Sequence, residues 1–500
     1  MLKNVSMSGS VILYWDLPEN YEKGSFYVIS SGSKTVGKTE KCHFEIKELS
    51  PEQEYNFTVN MENINGEKTI IGEISCQTLK EKRRIDITKA PYCAVGDGKT
   101  LNTEHIQKAI DDCGENECVY FPAGDFMTGS LYLHSDMEIY LEKDAVLHGT
   151  DVVKDYEPKI MSRFEGTEMM TYAALLNIGE LDRSRIYKTC QNVRICGEGT
   201  VCGGGRPLAL KVVEIEKVLM KDYMDSLGDK IKECETDITI PARVRPRLIN
   251  ISCADNVLIS GITIKNGASW NVHMIYSNDI VTCGCTFRSE KVWNGDGWDP
   301  DSSSNCTLFG CEFFTGDDCV AIKSGKNPEG NIINIPCERI RVFDCVVHYG
   351  HGIAIGSEMS GGINDVRIWN CDIENSSHGI HIKGTEKRGG YIKNISVKHV
   401  KTSRIRIHSV GYNDDGEGSG AVPIFSDCTF ENIKITGRFQ REEDMVDCDA
   451  IEIEGFAKPG HFIKNFKFKN VVIDSNIDSR RQTLSLQRCE GISFENVYCR

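Results

Sequence analysis

The sequence predicts an all-β protein, a right-handed parallel β-helix preceded by a small antiparallel β-sandwich. Three observations carry this expectation. From about residue 190 a loose unit recurs, a polar residue followed by alternating apolar positions and often an asparagine or cysteine. Its starting points fall near residues 192, 256, 279, 305, 339, 365, 394, 432, 465 and 491. Helical periodicity is absent across that region, which excludes stacked helical repeats. The first 80 residues have a different rhythm, short alternating runs separated by turn residues. A chain of 500 residues also exceeds what one ordinary core supports, so two domains or one elongated repeat fold are required.

In chain order, SVILYWDL, GSFYVISS, KCHFEIKEL, EYNFTVNMEN and GEISCQTL read as strands of a sandwich over residues 1–80. LSPEQEYNFTVNMENINGE, with Trp15 on an early strand, resembles a fibronectin type III domain. A charged linker, KEKRR at residues 80–84, follows, and the second domain spans 81–500. It opens on AVGDGKTLNTEHIQKAIDDCG, where Ile106, Ala109 and Ile110 recur at helical spacing behind Asn102 or Thr103 as N-cap. A helix here suits a solenoid, whose open end otherwise exposes core and backbone. Pro207 to Glu235 breaks the strand rhythm and reads as helix, either covering part of a groove or packing as a surface appendage. YNDDGEGSG at residues 412–420, polar and without a strand behind it, reads as loop.

Composition narrows the function. The 40% hydrophobic content and 13 prolines are those of a folded soluble protein, and no apolar run reaches the roughly 18 residues that cross a bilayer. The first residues hold neither a continuous apolar segment nor a small-residue cleavage site, so a cytoplasmic location is expected unless a signal has been removed. The 22 cysteines are scattered through strand-like runs without CxxC or zinc spacing, and read as reduced, buried thiols. A net charge of −15 argues against nucleic acid or an anionic membrane as partner. An anionic polysaccharide would need a local cluster of cations, which salt screening makes sufficient.

Four stretches carry chemistry: NGDGWDPDSS, TGDDCVAIKSG, YGHGIAIGSE and GIHIKGTEKRGG. They set Asp296, Asp317, Asp318, His351 and Lys383 about one coil apart, so rungs spaced about 4.8 Å would gather them on one face. NGDGWDPDSS fails as a calcium hand, because Trp298 takes a ligand position and Asp299 takes the position of the turn glycine. Asp317 and Asp318 share a cleft only if the backbone bends, and Gly316 permits that. Three acids packed together cannot all ionise cheaply, so one is expected to keep a proton near neutral pH. A proton donor beside ionised carboxylates is what glycoside hydrolysis requires.

These motifs resemble those of glycoside hydrolase family 28, the polygalacturonases. The family's Asn-Thr-Asp-Gly, Asp-Asp behind glycine or glutamine, Gly-His-Gly and Arg-Ile-Lys are matched in order by Asn294–Gly297, Gly316–Asp318, Gly350–Gly352 and His381–Lys383. The resemblance covers roughly residues 85–500. WDPDSS, IGSEMSGG, KRGGY, SRFEG (residues 162–166) and the fibronectin-like module resemble the bacterial exo-acting branch. It implies an inverting exo-polygalacturonase, with pectic polysaccharide or oligogalacturonate as substrate and no metal or cofactor. Asp317 would protonate the leaving oxygen, and Asp296 and Asp318 would hold and deprotonate the attacking water. His351 would tune the acid, and Asn294, His381 and Lys383 would stand at the substrate. Two positions depart from the pattern: Gly295 replaces threonine, and His381 replaces an arginine that would grip a carboxylate bidentately. Arg388 is expected to supply the missing charge. Alternatives within the same fold are a rhamnogalacturonan or xylogalacturonan hydrolase, a calcium-dependent pectate lyase, or a non-catalytic carbohydrate-binding scaffold.

Overall fold

The computed structural model describes residues 1–500 except 183, 185–187, 235, 412–415, 442, 443, 459, 462 and 475–480. Glu235 and the first four residues of the loop at 412–420 therefore lie outside the described residues. The chain divides into one unit of residues 1–85 with 114–118 and a second of 86–113 with 119–500.

The first unit holds two antiparallel sheets. One orders Leu2–Ser6, Val11–Trp15 and His43–Ile46, and the other Lys34–Thr39, Phe26–Ser31, Glu54–Glu62 and Lys68–Gln77. Trp15 is buried between them, edge-on to Tyr27 at 4.9 Å, so alternating apolar positions from both sheets meet in one core.

The second unit is a parallel β-helix. One sheet runs Leu131–Leu133, Leu176–Ile178, Ile249–Ser252, Val272–Ile275, Trp298–Asp301, Val320–Ile322, Ile353–Ile355, Ile380–Gly384, Ile405–Ser409, Ile451–Glu454 and Leu484–Gln487. Its partner ladder passes through Cys190–Gly197, Ala254–Ser260, Asn278–Cys283, Ser304–Phe309, Cys337–Phe343 and Ile363–Trp369. The recurrent polar starts of the sequence repeat mark two corners of the coil. Asn192, Asn256, Asp279, Asn305, Arg339, Asp365, Asn394 and Asn465 align at one. Asn432, read as a start of the same series, aligns with His399 and Asn470 at the other. Asn192, Asn256, Asn305, Asn394, Asn432 and Asn470 all take positive φ, a region their short amide tolerates. Their side chains bond from rung to rung, as in Asn256 Nδ2 to Asn192 Oδ1 at 2.7 Å and Asn470 Nδ2 to Asn432 Oδ1 at 3.0 Å.

Inward positions stack like with like. Phe309, Phe343 and Trp369 lie parallel, with centroids 5.0 and 4.4 Å apart. All 22 cysteines are free thiols, buried except Cys93, Cys234, Cys489 and Cys499.

Helix Thr103–Asp111 covers the first rung with Ile106, Ala109 and Ile110 buried. Gln107 exchanges two hydrogen bonds of 2.9 Å with the backbone of Tyr132, closing that strand's open edge. Asn102 stands at the N-cap but makes no capping bond. Its amide instead ties the preceding loop to itself through Val95 and Thr100. The excursion is helical as read, with Gly205–Leu219 and Lys221–Ser226.

Candidate active site

Strand register gathers the chemistry. Ile249, Val272, Trp298, Val320, Ile353 and Ile380 are partners on successive rungs. Two residues before each stands, in order, Arg247, Trp270, Asp296, Asp318, His351 and His378. Residues far apart in sequence thus form one row across the ends of adjacent strands, about 4.8 Å per step.

The turns that present this row depend on close backbone approach. Gly316 does not have positive φ; it is needed because a Cβ there would lie 2.2 Å from the Val292 carbonyl oxygen. The same loop explains Gly295, where a Cβ would lie 2.7 Å from that oxygen, so threonine does not fit. Both glycines let the Asp296 and Asp317 turns nest against Val292.

Asp317 Oδ1 accepts from His351 Nδ1 at 2.9 Å, and Asp318 Oδ1 lies 3.8 Å from the same nitrogen. Lys383 Nζ donates to Asp318 Oδ2 at 3.1 Å. Asn294 Nδ2 lies 3.4 Å from Asp317 Oδ2 and is itself held by Arg245, 2.8 Å from Asn294 Oδ1. Asp296 is buried, with Lys323 Nζ 3.5 Å from its Oδ2. Lys323 lies 4.4 Å over the Trp270 ring and 4.0 Å from Glu358. Asp296, Asp317, Asp318, His351, Asn294 and Lys383 are therefore brought together.

One of the three acids is raised, as packed carboxylates require, and it is Asp296 rather than Asp317, which the resemblance makes the proton donor. Burial, reinforced by Asp299 and Asp317, pushes Asp296 well above the usual carboxylate range and so favours its protonated form. Asp299, wholly buried with neither oxygen hydrogen-bonded among the described residues, is likewise raised. Burial also works to raise Asp317. The hydrogen bond and charge of His351, with Lys383 and Lys323, outweigh it and pull this group below the usual range. Burial opposes the charged form of His351, yet Asp317 and Asp318 lift it to about 9. The Asp317–His351 pair thus carries one proton, resting on the imidazole.

Two expectations are corrected. Arg388 is not at the cavity; its buried guanidinium donates to Ser357 O at 2.9 Å and Asn327 Oδ1 at 2.6 Å, tying two loops together. His381 lines the cavity but bonds His408 Nε2 at 2.7 Å, and burial with the nearby Lys383 charge keeps it neutral.

Beside the acids lies a cavity of about 490 Å³, lined by Asp317, Asp318, His351, Lys383, Arg406 and His408 among others. His378, Arg406, His408, Lys323 and Glu358 were missed in the sequence. The alternation of RIRIHS, one coil after HIKG, was the available signal for Arg406 and His408. Asp317, Asp318 and His351 bring ligand atoms within 4.8 Å of one another, near enough in distance for a cation. The Lys383 ammonium and the His351 proton already use the facing lone pairs.

The row also has a filled end. Phe164, from the hairpin of Ile160–Phe164 and Thr167–Thr171, stacks on Trp270 at 4.8 Å. Arg247 lies over both rings, at 4.4 and 5.1 Å. Arg163 of the same hairpin pairs with Asp301 at 2.9 Å, both side chains wholly buried.

Comparisons with known proteins agree with this architecture. The family model "Glycosyl hydrolases family 28" matches residues 188–458. A Vitis vinifera protein described as "Probable polygalacturonase" is 30% identical over 70% of this chain and 69% of its own length. The "Exo-poly-alpha-D-galacturonosidase" of Dickeya chrysanthemi is 25% identical over 98% of this chain and 88% of its own. The solved Yersinia enterocolitica family 28 exopolygalacturonase superposes with a TM-score of 0.83 at 22% identity, covering 99% of this chain and 96% of that one. With the acid row, the β-helix and a family match over more than half its length, this chain belongs to the family 28 glycosyl hydrolases.

Proposed function

We propose that the protein is an exo-acting polygalacturonase that hydrolyses α-1,4-galacturonosidic bonds at the end of galacturonate chains, with inversion. One observation carries the exo assignment: the acid row is open on one side and plugged on the other. Toward Lys383 and Arg406 the groove is a cavity. Toward the N-terminus the next two places in the row are Trp270 and Arg247, both buried under Phe164. A polymer cannot run past Asp296 without displacing that stack, so only a chain end reaches the acids. The long match to the Dickeya exo-enzyme supports the same reading.

In this mechanism the Lys383 ammonium receives the carboxylate of the first leaving-side sugar. A water held between Asp296 and Asp318 attacks the anomeric carbon as the glycosidic C–O bond breaks. Its proton passes to the Asp318 carboxylate, since Asp296 already favours its protonated form, and the proton of the Asp317–His351 pair passes through Asp317 to the leaving oxygen. The substrate, by its own anionic charge, weakens the hold of the cations on Asp317 and favours its protonated form.

Chromatography of products from a defined oligogalacturonate tests the proposal. Release of mono- or digalacturonate alone, with polygalacturonate viscosity falling slowly, is expected. A ladder of mid-sized oligomers at early times would refute exo action, and no new reducing ends would refute hydrolysis.

A further inference from the structure

Where the resembled pattern has an arginine, this chain has His381, and His381 is neutral and occupied by His408. The charge has moved one rung rather than disappeared. His381 is in register with Arg406 on the next strand, and Arg406 with Glu452 on the one after. Ile405 and Ile407 turn into the core, so Arg406 and His408 face outward, and both line the cavity that holds Lys383.

Glu452 is shared. Its Oε2 accepts from Arg406 Nε at 2.9 Å and from Arg404 Nη2 at 3.0 Å. One carboxylate facing two guanidiniums leaves a surplus positive charge at this rung. The other charged groups of the cavity are matched, Asp318 by Lys383 and Asp317 by His351. The Arg406 side chain is 28% exposed, so it is oriented by Glu452 while still reachable from the groove. Holding one edge of a guanidinium leaves its remaining N–H donors for a planar anion.

We propose that Arg406 binds the carboxylate of the second leaving-side galacturonate, making the open cavity a two-sugar leaving site. This rests on the proposed hydrolysis at Asp317, with Lys383 receiving the first carboxylate. Lys383 is in register with His408, so Arg406 lies one rung along the axis and two residues back along the strand from it. A second 1,4-linked sugar extends about one rung, about 4.8 Å, past the first, and the offset of Arg406 receives a carboxylate turned away from the line of the first. With one sugar held on the closed side of the acids, where Trp270 and Arg247 plug the row, the residue would thus make the enzyme prefer trigalacturonate over digalacturonate, whose leaving sugar ends before that rung.

The test compares kcat/KM for trigalacturonate and digalacturonate in the wild type, Arg406→Ala and Arg406→Lys. Because both sugars are assayed on one preparation, partial misfolding cancels in the ratio. Removing a charge-assisted hydrogen bond that only the trimer makes should lower the trimer-to-dimer ratio about tenfold to hundredfold in Arg406→Ala. Arg406→Lys should fall between, keeping charge without the planar fork. Digalacturonate should change less than about twofold in either variant. An unchanged ratio, or equal loss on both sugars, would overturn the assignment while leaving the hydrolase reading intact. A wild type that cleaves neither sugar would overturn both.

Discussion

Replacing His351 with glutamine separates the Asp317–His351 proton pair from a simple buried acid. The imidazole donates to Asp317 at 2.9 Å, and its pKa stands at about 9 against an ordinary value near 6.5. A hydrogen bond to a charged group is worth about 1.5–3 kcal/mol when dry. The ring is 39% exposed, so solvent screening trims the coupling to about 1–2 kcal/mol, roughly one pKa unit. In the wild type, the competent proton leaves the pair only as pH rises through about 9, which places the alkaline limb of kcat/KM there. In His351→Gln the largest influence lowering Asp317 is gone while burial remains, so its pKa rises. The proton then rests on a carboxyl, and the alkaline limb drops toward the carboxylate range. At pH 7 the variant should lose about 10²–10⁴-fold in kcat/KM and recover part of it on acidification. The assay is reducing-end release from trigalacturonate across pH 4–10 (about these limits span both limbs). An alkaline limb still near its wild-type position would refute the shared proton. The stability sign follows from the raised histidine. Its contribution is complete below about 6.5 and is lost as pH rises through about 9, so wild-type Tm should fall over that interval and the variant's should not.

Three further outcomes are expected. Asp317→Asn should lower kcat by about 10²–10⁴-fold or more with Tm little changed, and retention of most activity would remove Asp317 as proton donor. Gly316→Ala places a methyl 2.2 Å from the Val292 carbonyl oxygen, which should cost about 1–3 kcal/mol in urea denaturation; an unchanged midpoint would contradict the nested turns. Incubation with a chelator should leave the rate unaltered and produce no ultraviolet-absorbing unsaturated sugar. Loss of activity that calcium restores would favour the lyase chemistry instead.

The fold was legible because its signal is local and repeated. Each coil begins with a residue able to take positive φ and continues with alternating apolar residues, so the asparagine starts at 192, 256, 305, 394 and 465 can be read one by one. The acids were legible for a related reason, since each sits immediately before a short apolar strand. Asp317, Asp318 and the Val320–Ile322 strand are adjacent in one run of sequence. What could not be read was anything set by register between coils, because loop lengths vary and decide which residues face each other. Arg388 stands close to Lys383 in sequence, yet it clamps Ser357 and Asn327, whereas Arg406, a coil further on, enters the cavity.

By itself, then, the sequence determined the coil, the identity of the three acids and their order along the axis, all consequences of short-range pattern. Only the tertiary structure decided which carboxyl favours its protonated form and which end of the groove is closed. Burial beside Asp299 settles the first, and the Phe164–Trp270 stack under Arg247 settles the second. Both depend on desolvation and packing between segments far apart in the chain, and neither leaves a mark in local residue spacing.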